Sequence, residues 1–383
     1  MKYALVHEWL TPYATGGSEL VVKEIFQNIE ADLYALIDFE SVNQESYLYQ
    51  KKIGTTFLQK FPGAIKGVQK YLPLLPLAIE QLDLREYDVI LSSSHAVAKG
   101  VITSPHQLHI CYCHTPMRYA WDLTFDYLNG NSAGRGLTGM ITRYILHQLR
   151  QWDVISANRV DYFIANSNHT AKRIWRCYRR EAEVIYPPVN IERFTFQEKK
   201  ENFYLTVCRL VSYKKVGLIV EAFNQLGEEL IIIGDGPELK QIQQLAKANV
   251  KVLGGQPNNK VEEYMAKAKA FVYAACEDFG IALVEAQACG TPIIAYRAGG
   301  ATETVKDIKK NPKTATGILY VSQTSAALLE AVKNFSAMAD QFKGENCRLQ
   351  ASKFSPQIFQ KQYLEFVDKQ TRSLKLQNCS TKI

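Results

Sequence analysis

"AFVYAACEDFGIALVEAQACGTPIIAY", residues 270–296, reads as strand, loop, helix and second strand. "AFVYAA" (270–275) is a short apolar run of the kind that fills a parallel strand buried on both faces. "CEDFG" (276–280) interrupts it with two acids and a glycine, and apolar residues resume from Ile281 to Cys289 as a helix. Gly290-Thr291-Pro292 then closes the helix, and "TPIIAY" (291–296) supplies the next strand. Strand–helix–strand order of this kind is the repeating unit of a doubly wound parallel sheet.

The same alternation extends both ways. Towards the N-terminus of this half lie strands "FYLTVCRL", "ELIIIGDGPE", "NVKVLGG" and helices "VGLIVEAFNQL", "PELKQIQQLAKA", "NKVEEYMAKA". Before them "VIYPPVNIERF" breaks any regular element with two prolines. The first half begins with strand "KYALVHEW" and helix "GGSELVVKEIFQNI", then strands "ADLYALID", "YDVILSSS", "LHICYCH" and "RVDYFIANS", with "HTAKRIWRCY" as a helix. The reading is α/β, with two doubly wound, Rossmann-like domains facing a cleft. The 383 residues exceed one comfortable core and fit that division. "PQIFQKQYLEFVDK" near the end is an amphipathic helix.

Composition excludes several classes. Nearly half the residues are apolar, which excludes a disordered chain, and no apolar run is long enough to span a bilayer. "MKYALVHEWL" is broken by His7-Glu8, so it reads as a first strand and not a leader. The eight cysteines show no metal-site spacing and are expected as reduced thiols of a cytoplasmic protein. A net charge of +7 suits a phosphorylated ligand or an anionic membrane but selects neither.

In an open parallel sheet ligands sit beyond the carboxyl ends of the strands, so the residues just past each strand carry the chemistry. Glu277 lies in the loop after "AFVYAA" and Glu285 in the early turns of the next helix, behind Phe279, Gly280 and Ile281. Carboxylates accept paired hydroxyls, and a helix N-terminus suits an anion or sugar. Alone, the two acids could equally cap the helix and pair with neighbours. Arg209 and Lys214 come after strand "FYLTVCRL" and suit a diphosphate, or form a solvated basic loop. Gly16-Gly17 in "ATGGSELVV" permits a tight strand-to-helix turn but does not fit a dinucleotide fingerprint. In "CYCHTPMRYAWD", His114 ends a strand, with Arg118, Tyr119, Trp121 and Asp122 behind it as a polar wall. A lone histidine is more often structural. Gly234 lies in the turn "GDGP", and Leu253 closes strand "NVKVLGG".

Together these segments resemble the retaining glycosyltransferases of family 4, which have the GT-B fold. Glu277 and Glu285 match that family's E-x7-E motif, Arg209 and Lys214 its donor-phosphate pair, Gly16-Gly17 its glycine loop and His114 its active-site histidine. The resemblance runs along nearly the whole chain and is similar to bacterial and cyanobacterial exopolysaccharide hexosyltransferases. It implies an acceptor-binding domain over 1–197 and a donor-binding domain over 198–354, with a last helix from about 355 to 383 crossing back. It further implies that Glu285 holds ribose and Glu277 the donor sugar, with help from the backbone of Phe279, Gly280 and Ile281. Arg209 and Lys214 would grip the diphosphate, Gly16, Gly17, Gly234 and Leu253 would line the donor site, and His114 would meet the sugar near its reacting carbon. Two positions depart: Cys208 and Lys215 stand where many relatives have glycine.

The expected activity is transfer of a hexose, with retention, from a nucleotide-diphosphate sugar to a saccharide or lipid-linked saccharide hydroxyl. The donor is expected to be UDP-glucose ahead of GDP-mannose. No D-x-D triplet occurs, so a metal is not required, and no cofactor or nucleic-acid partner is expected. A sugar-nucleotide epimerase and a non-catalytic sugar-nucleotide binder are the alternatives. Peripheral contact with an anionic membrane, at the inner face of the plasma membrane, is a further expectation. It rests on "FPGAIKGVQKYLPLLPLAIEQL" and on a run of cations: Arg135, Arg143, Arg150, Arg159, Lys172, Arg173, Arg176, Arg179 and Arg180. A solvated face plus ordinary core explains those residues equally well.

Overall fold

Two compact units divide the chain in the computed structural model, which describes residues 1–12, 16–130 and 136–380. Arg135, the Ala14-Thr15 start of the glycine-loop motif and residues 381–383 of the expected last helix lie outside the described residues.

The first unit comprises residues 1–188 and 356–383. Its strands are β1 (Tyr3–His7), β2 (Ala31–Ala35), β3 (Ile53–Gly54), β4 (Val89–Ser94), β5 (Leu108–Cys113), β6 (Tyr162–Ala165) and β7 (Ala182–Val184). They form one parallel sheet in the order β3-β2-β1-β4-β5-β6-β7. Every residue of β4 and β5 is buried, as expected of central strands covered on both faces. The helix Gly17–Asn28 buries Val21, Val22 and Ile25 on the sheet, which is helical spacing put to use. The helix Asn168–Tyr178 starts where Ser167 Oγ accepts the Thr170 amide at 3.0 Å. The helix Pro356–Ser380 packs Phe359, Tyr363 and Val367 against Tyr112 and Ile164 of the sheet core. Of the apolar segment at 61–82, Ala64, Val68, Leu75, Ala78, Ile79 and Leu82 are core residues beside Val6 and Ile90. That fits its ordinary-core reading better than a bilayer-facing one.

The second unit spans 189–355. It has β8 (Tyr204–Val207), β9 (Leu230–Ile233), β10 (Val250–Gly254), β11 (Ala270–Tyr273), β12 (Ile293–Tyr296) and β13 (Gly317–Tyr320). These run parallel in the order β10-β9-β8-β11-β12-β13. The helix Val216–Leu226 lays Ile219, Val220 and Phe223 on this sheet and stops at Gly227, whose φ of +79° continues no helix. Truncating the fully buried Phe223 to alanine would cost about 3–5 kcal/mol.

Residues 189–197, expected with the first domain, group with the second. The Val189 amide donates to the Phe354 carbonyl at 2.8 Å and the Gln197 amide to Cys289 at 3.1 Å. Arg348 Nη1 donates to the Phe194 carbonyl at 2.9 Å. These bonds bind the proline-rich connector to the second unit after Pro188.

Candidate functional site

Each sheet has one place where the strand order turns back, between β1 and β4 in the first and between β8 and β11 in the second. Loops leave in opposite directions there and open a crevice at the strand ends. In the second unit those loops carry Arg209 and Lys214 after β8 and Glu277 after β11.

The structure brings Lys214 and Glu277 together as a hydrogen-bonded ion pair. Tyr273, the last residue of β11, joins both: its hydroxyl donates to Glu277 Oε1 at 2.9 Å and lies 3.0 Å from Lys214 Nζ. Burial opposes the charge on Lys214, but the Glu277 carboxylate outweighs it and raises the ammonium above the ordinary lysine range. Burial, then Glu277, push the Tyr273 phenol well up, so it stays a neutral donor. Lys214 ends a one-turn helix, Ser212–Lys214, and Lys215 comes next at φ +55°. That is the left-handed region, so a glycine there would relieve about 1–2 kcal/mol of strain.

Arg209 is exposed and forms no ion pair among the described residues. Glu285 sits in the second turn of the helix Ile281–Ala288, half-buried, its carboxylate without a hydrogen-bond partner among the described residues. Burial raises its pKa above the ordinary carboxylate value, with Arg193 pulling it down and Glu262 pushing it up. A partly buried, unpartnered carboxylate is an acceptor waiting for hydroxyls. The sequence groups Glu277 with Glu285 and Arg209 with Lys214 as facing one ligand; the fold adds an ion pair between Lys214 and Glu277.

The Glu277 loop is held from below. Its carbonyl accepts the Gly300 amide at 2.9 Å, in the loop after β12. Phe279 turns its ring inward against Phe354, centroids 5.3 Å apart, so only its backbone can face a ligand. Gly280 caps the helix at φ +88°. Gly234 packs on β8: a Cβ there would lie 1.8 Å from the Cys208 carbonyl oxygen. Its glycine is thus required by strand-end packing before any ligand. The Leu253 carbonyl accepts from Gln256 at 2.9 Å.

In the first unit Gly16 precedes and Gly17 begins the helix Gly17–Asn28. His114 comes directly after β5, nearly buried, with Nε2 2.8 Å from Ser93 Oγ and its amide on the Ser94 carbonyl. Burial, with His95 and His7 nearby, holds its imidazole well below the ordinary histidine range, so it is neutral at physiological pH. Trp121 Nε1 donates to Asp153 at 2.7 Å and Asp122 accepts from Arg173 at 2.5 Å, so both are engaged inside the unit. The buried Tyr119 hydroxyl has no partner among the described residues, and Arg118 is half-buried beside it.

Residues not singled out from the sequence complete this crevice. Glu8, after β1, accepts from the amides of His95, Ala96, Val97 and Ala98 and from Ser94 Oγ, at 2.8–3.1 Å. Burial resists its ionisation, but His95 and those amides hold the carboxyl below the ordinary range. His7 Nδ1 donates to the Ser93 carbonyl at 3.1 Å, leaving Nε2 towards Glu19 at 3.9 Å. The strand-end rule that singled out His114 would have reached His7, Glu8 and Gly299-Gly300 as well.

Known proteins share both halves of this arrangement. A family model described as Glycosyltransferase Family 4 matches residues 15–193, and one described as Glycosyl transferases group 1 matches 190–352. The chain is 30% identical over 175 residues to N-acetyl-alpha-D-glucosaminyl L-malate synthase of Bacillus anthracis, covering 41% of this chain and 45% of that protein. It is 23% identical over 376 residues to alpha-1,3/1,6-mannosyltransferase ALG2 of Saccharomyces cerevisiae, covering 79% and 72%. The matched region spans less than half the length of the first curated relatives, 43%, 45% and 48%. Among solved structures, Anabaena HepE in complex with UDP superposes with a TM-score of 0.67 at 19% identity, over 96% of this chain and all of that one. Sucrose-phosphate synthase of Thermosynechococcus elongatus gives 0.72 at 16% identity, over 97% of this chain and 100% of its own. These likenesses establish the GT-B fold.

Proposed function

Since the chain belongs to the family 4 glycosyltransferases of the GT-B fold, we propose that it transfers a hexosyl group from a nucleotide-diphosphate sugar to an acceptor hydroxyl, with retention. The observation that carries this is the meeting of Lys214, Tyr273 and Glu277 where the second sheet reverses. A neutral phenol, a carboxylate and an ammonium offer donors and an acceptor to a sugar diphosphate. Lys214 and Arg209 neutralise the departing diphosphate, so no metal is required. Glu277 accepts from the sugar hydroxyls and keeps the ammonium in place before the donor arrives. Glu285 takes the ribose hydroxyls, which satisfy its unpartnered carboxylate. His114, neutral, hydrogen-bonds the sugar without adding positive charge beside the oxocarbenium-like carbon.

Neither Glu277 nor Glu285 is placed here as a nucleophile. The acceptor attacks from the face the diphosphate leaves, and the leaving oxygen takes the acceptor's proton. Losing Arg209 would slow turnover by about 10²–10³. UDP-glucose is the proposed donor, supported by HepE, whose structures hold UDP, UDP with glucose, and UDP-glucose. The acceptor is a saccharide or lipid-linked saccharide of exopolysaccharide synthesis in the cytoplasm.

A thermal-shift series with UDP, GDP and ADP tests the donor, because a ligand of the folded state raises its melting temperature. UDP is expected to shift it most. A shift with GDP alone would replace UDP-glucose by GDP-mannose, and no shift with any of the three would remove the donor site. Product from UDP-glucose without an acceptor, epimerised and not transferred, would favour the epimerase.

A further inference from the structure

The helix Gly136–Ala157 carries an outward apolar row that the fold does not use. Leu137, Met140, Ile141 and Tyr144 are 74%, 68%, 53% and 64% exposed. Their spacing, i, i+3, i+4 and i+7, puts them on one face. Ile155, eleven residues past Tyr144, returns to that face and is 58% exposed. Phe125, on the preceding helix Thr124–Gly130, is 74% exposed. The opposite face buries Leu146, Leu149, Asp153 and Ser156 and already fixes the helix to the unit. Rows of large apolar side chains facing water mark interaction surfaces.

Charge narrows the partner. Arg143, His147 and Arg150 form a row beside the apolar one, at i, i+4 and i+7. Arg143 and Arg150 border a groove of about 370 Å³ floored by Trp121, Phe125, Leu128 and Leu146. The only acid of the helix, Asp153, is fully buried on Lys99, Trp121 and Tyr178. Through Tyr178 it joins the neighbouring helix Asn168–Tyr178, which has no acid and exposes Lys172, Trp175 and Arg176. An apolar row flanked by cations, with no exposed carboxylate on either helix, complements a uniformly negative surface that also accepts apolar side chains. Among the described residues no helix is long and apolar enough to cross a membrane, so this one would lie in the interface plane.

We propose that the outward face of Gly136–Ala157 docks on an anionic phospholipid bilayer. Leu137, Met140, Ile141 and Tyr144 enter the headgroup boundary, and Arg143 meets the phosphates. The proposal uses none of the donor-side residues and would bring the enzyme to the place where a lipid-linked acceptor resides.

Flotation of the full chain with vesicles tests it. The wild type is expected to float with phosphatidylcholine–phosphatidylglycerol vesicles and to stay behind with phosphatidylcholine alone. Ile141→Glu should reduce the bound fraction by at least about tenfold. Arg143→Glu should reduce it by about fivefold or more. Val321→Glu, at a side chain 65% exposed in the second unit, should change nothing. Unchanged melting temperatures would show that all three variants fold. Failure of the wild type to float, or equal flotation of Ile141→Glu, overturns the proposal. So does a lipid-free dimer by light scattering that Ile141→Glu dissociates, because the row would then belong to a second copy. Flotation reads no catalysis: its failure leaves the donor assignment intact, and loss of nucleotide binding in a chain that floats counts against the donor assignment alone.

Discussion

Replacing Lys214 by methionine removes the ammonium held by Glu277 and Tyr273. The two charged side chains are 15% and 14% exposed. Their pairing therefore lies between a surface ion pair, about 0–1 kcal/mol, and a buried pair broken on one side, about 3–5 kcal/mol. The Tyr273 hydroxyl stays on Glu277 at 2.9 Å and keeps part of the carboxylate satisfied. The expected loss is about 2–3 kcal/mol. For a cooperative unit the size of 189–355, that lowers its melting temperature by about 4–12 °C. Glu277→Gln should cost a similar amount by stranding the ammonium. The double variant leaves no unpaired charge, so it should fall short of the summed singles by about 1–3 kcal/mol. Scanning calorimetry of the four proteins measures this cycle. Because the folded Lys214 titrates above its usual 10.5, the pair's stabilisation is complete below that pH and is lost as pH rises through the folded value. The gap between wild type and Lys214→Met should thus hold constant from neutral to mildly alkaline pH. Additive single variants would refute the coupling and, with it, the placement of Lys214 by Glu277.

Glu285→Gln should separate stability from binding. The folded carboxyl titrates above its ordinary 4.5, so its ionisation weakens the fold increasingly as pH rises through that window and not below it. The variant should melt higher than wild type at neutral pH, match it at acid pH, and bind nucleotide about 10- to 100-fold more weakly by calorimetry. Glu8→Gln should lose about 2–4 kcal/mol, because a neutral amide oxygen replaces the anion on four backbone amides. Its carboxyl titrates below 4.5, so the wild-type advantage should be present above that pH and vanish as pH falls through the folded value; an advantage that persists in acid would contradict the assignment.

The alternation that defines both sheets was legible because central parallel strands are short, uniformly apolar runs. β4 and β5, with all six residues buried in each, are the clearest cases. Three of the four edge strands were not legible: β3 has two residues and β7 three, too few to show a period, and β13 begins at a glycine. The strand-end rule located Lys214, Glu277 and His114, since it needs only the residues just past a buried run. Partnership was hidden. Lys214 and Glu277 are 63 residues apart, and Glu8 lies 87–90 residues from the amides it holds. No local pattern encodes such distances. Tyr273 was hidden for another reason, standing at the end of an apolar strand where an aromatic is ordinary packing.

The helix Pro356–Ser380 supplies Phe359, Tyr363 and Val367 to the core of the first unit. On a ribosome, that unit is interrupted at Pro188 and cannot cover Tyr112 and Ile164 until synthesis reaches Pro356. At about 5–20 residues per second the delay is roughly 10–30 s, in which the second unit emerges whole. The part of the protein begun first is thus finished last, and an apolar patch on its nascent sheet stays open to chaperones for that interval.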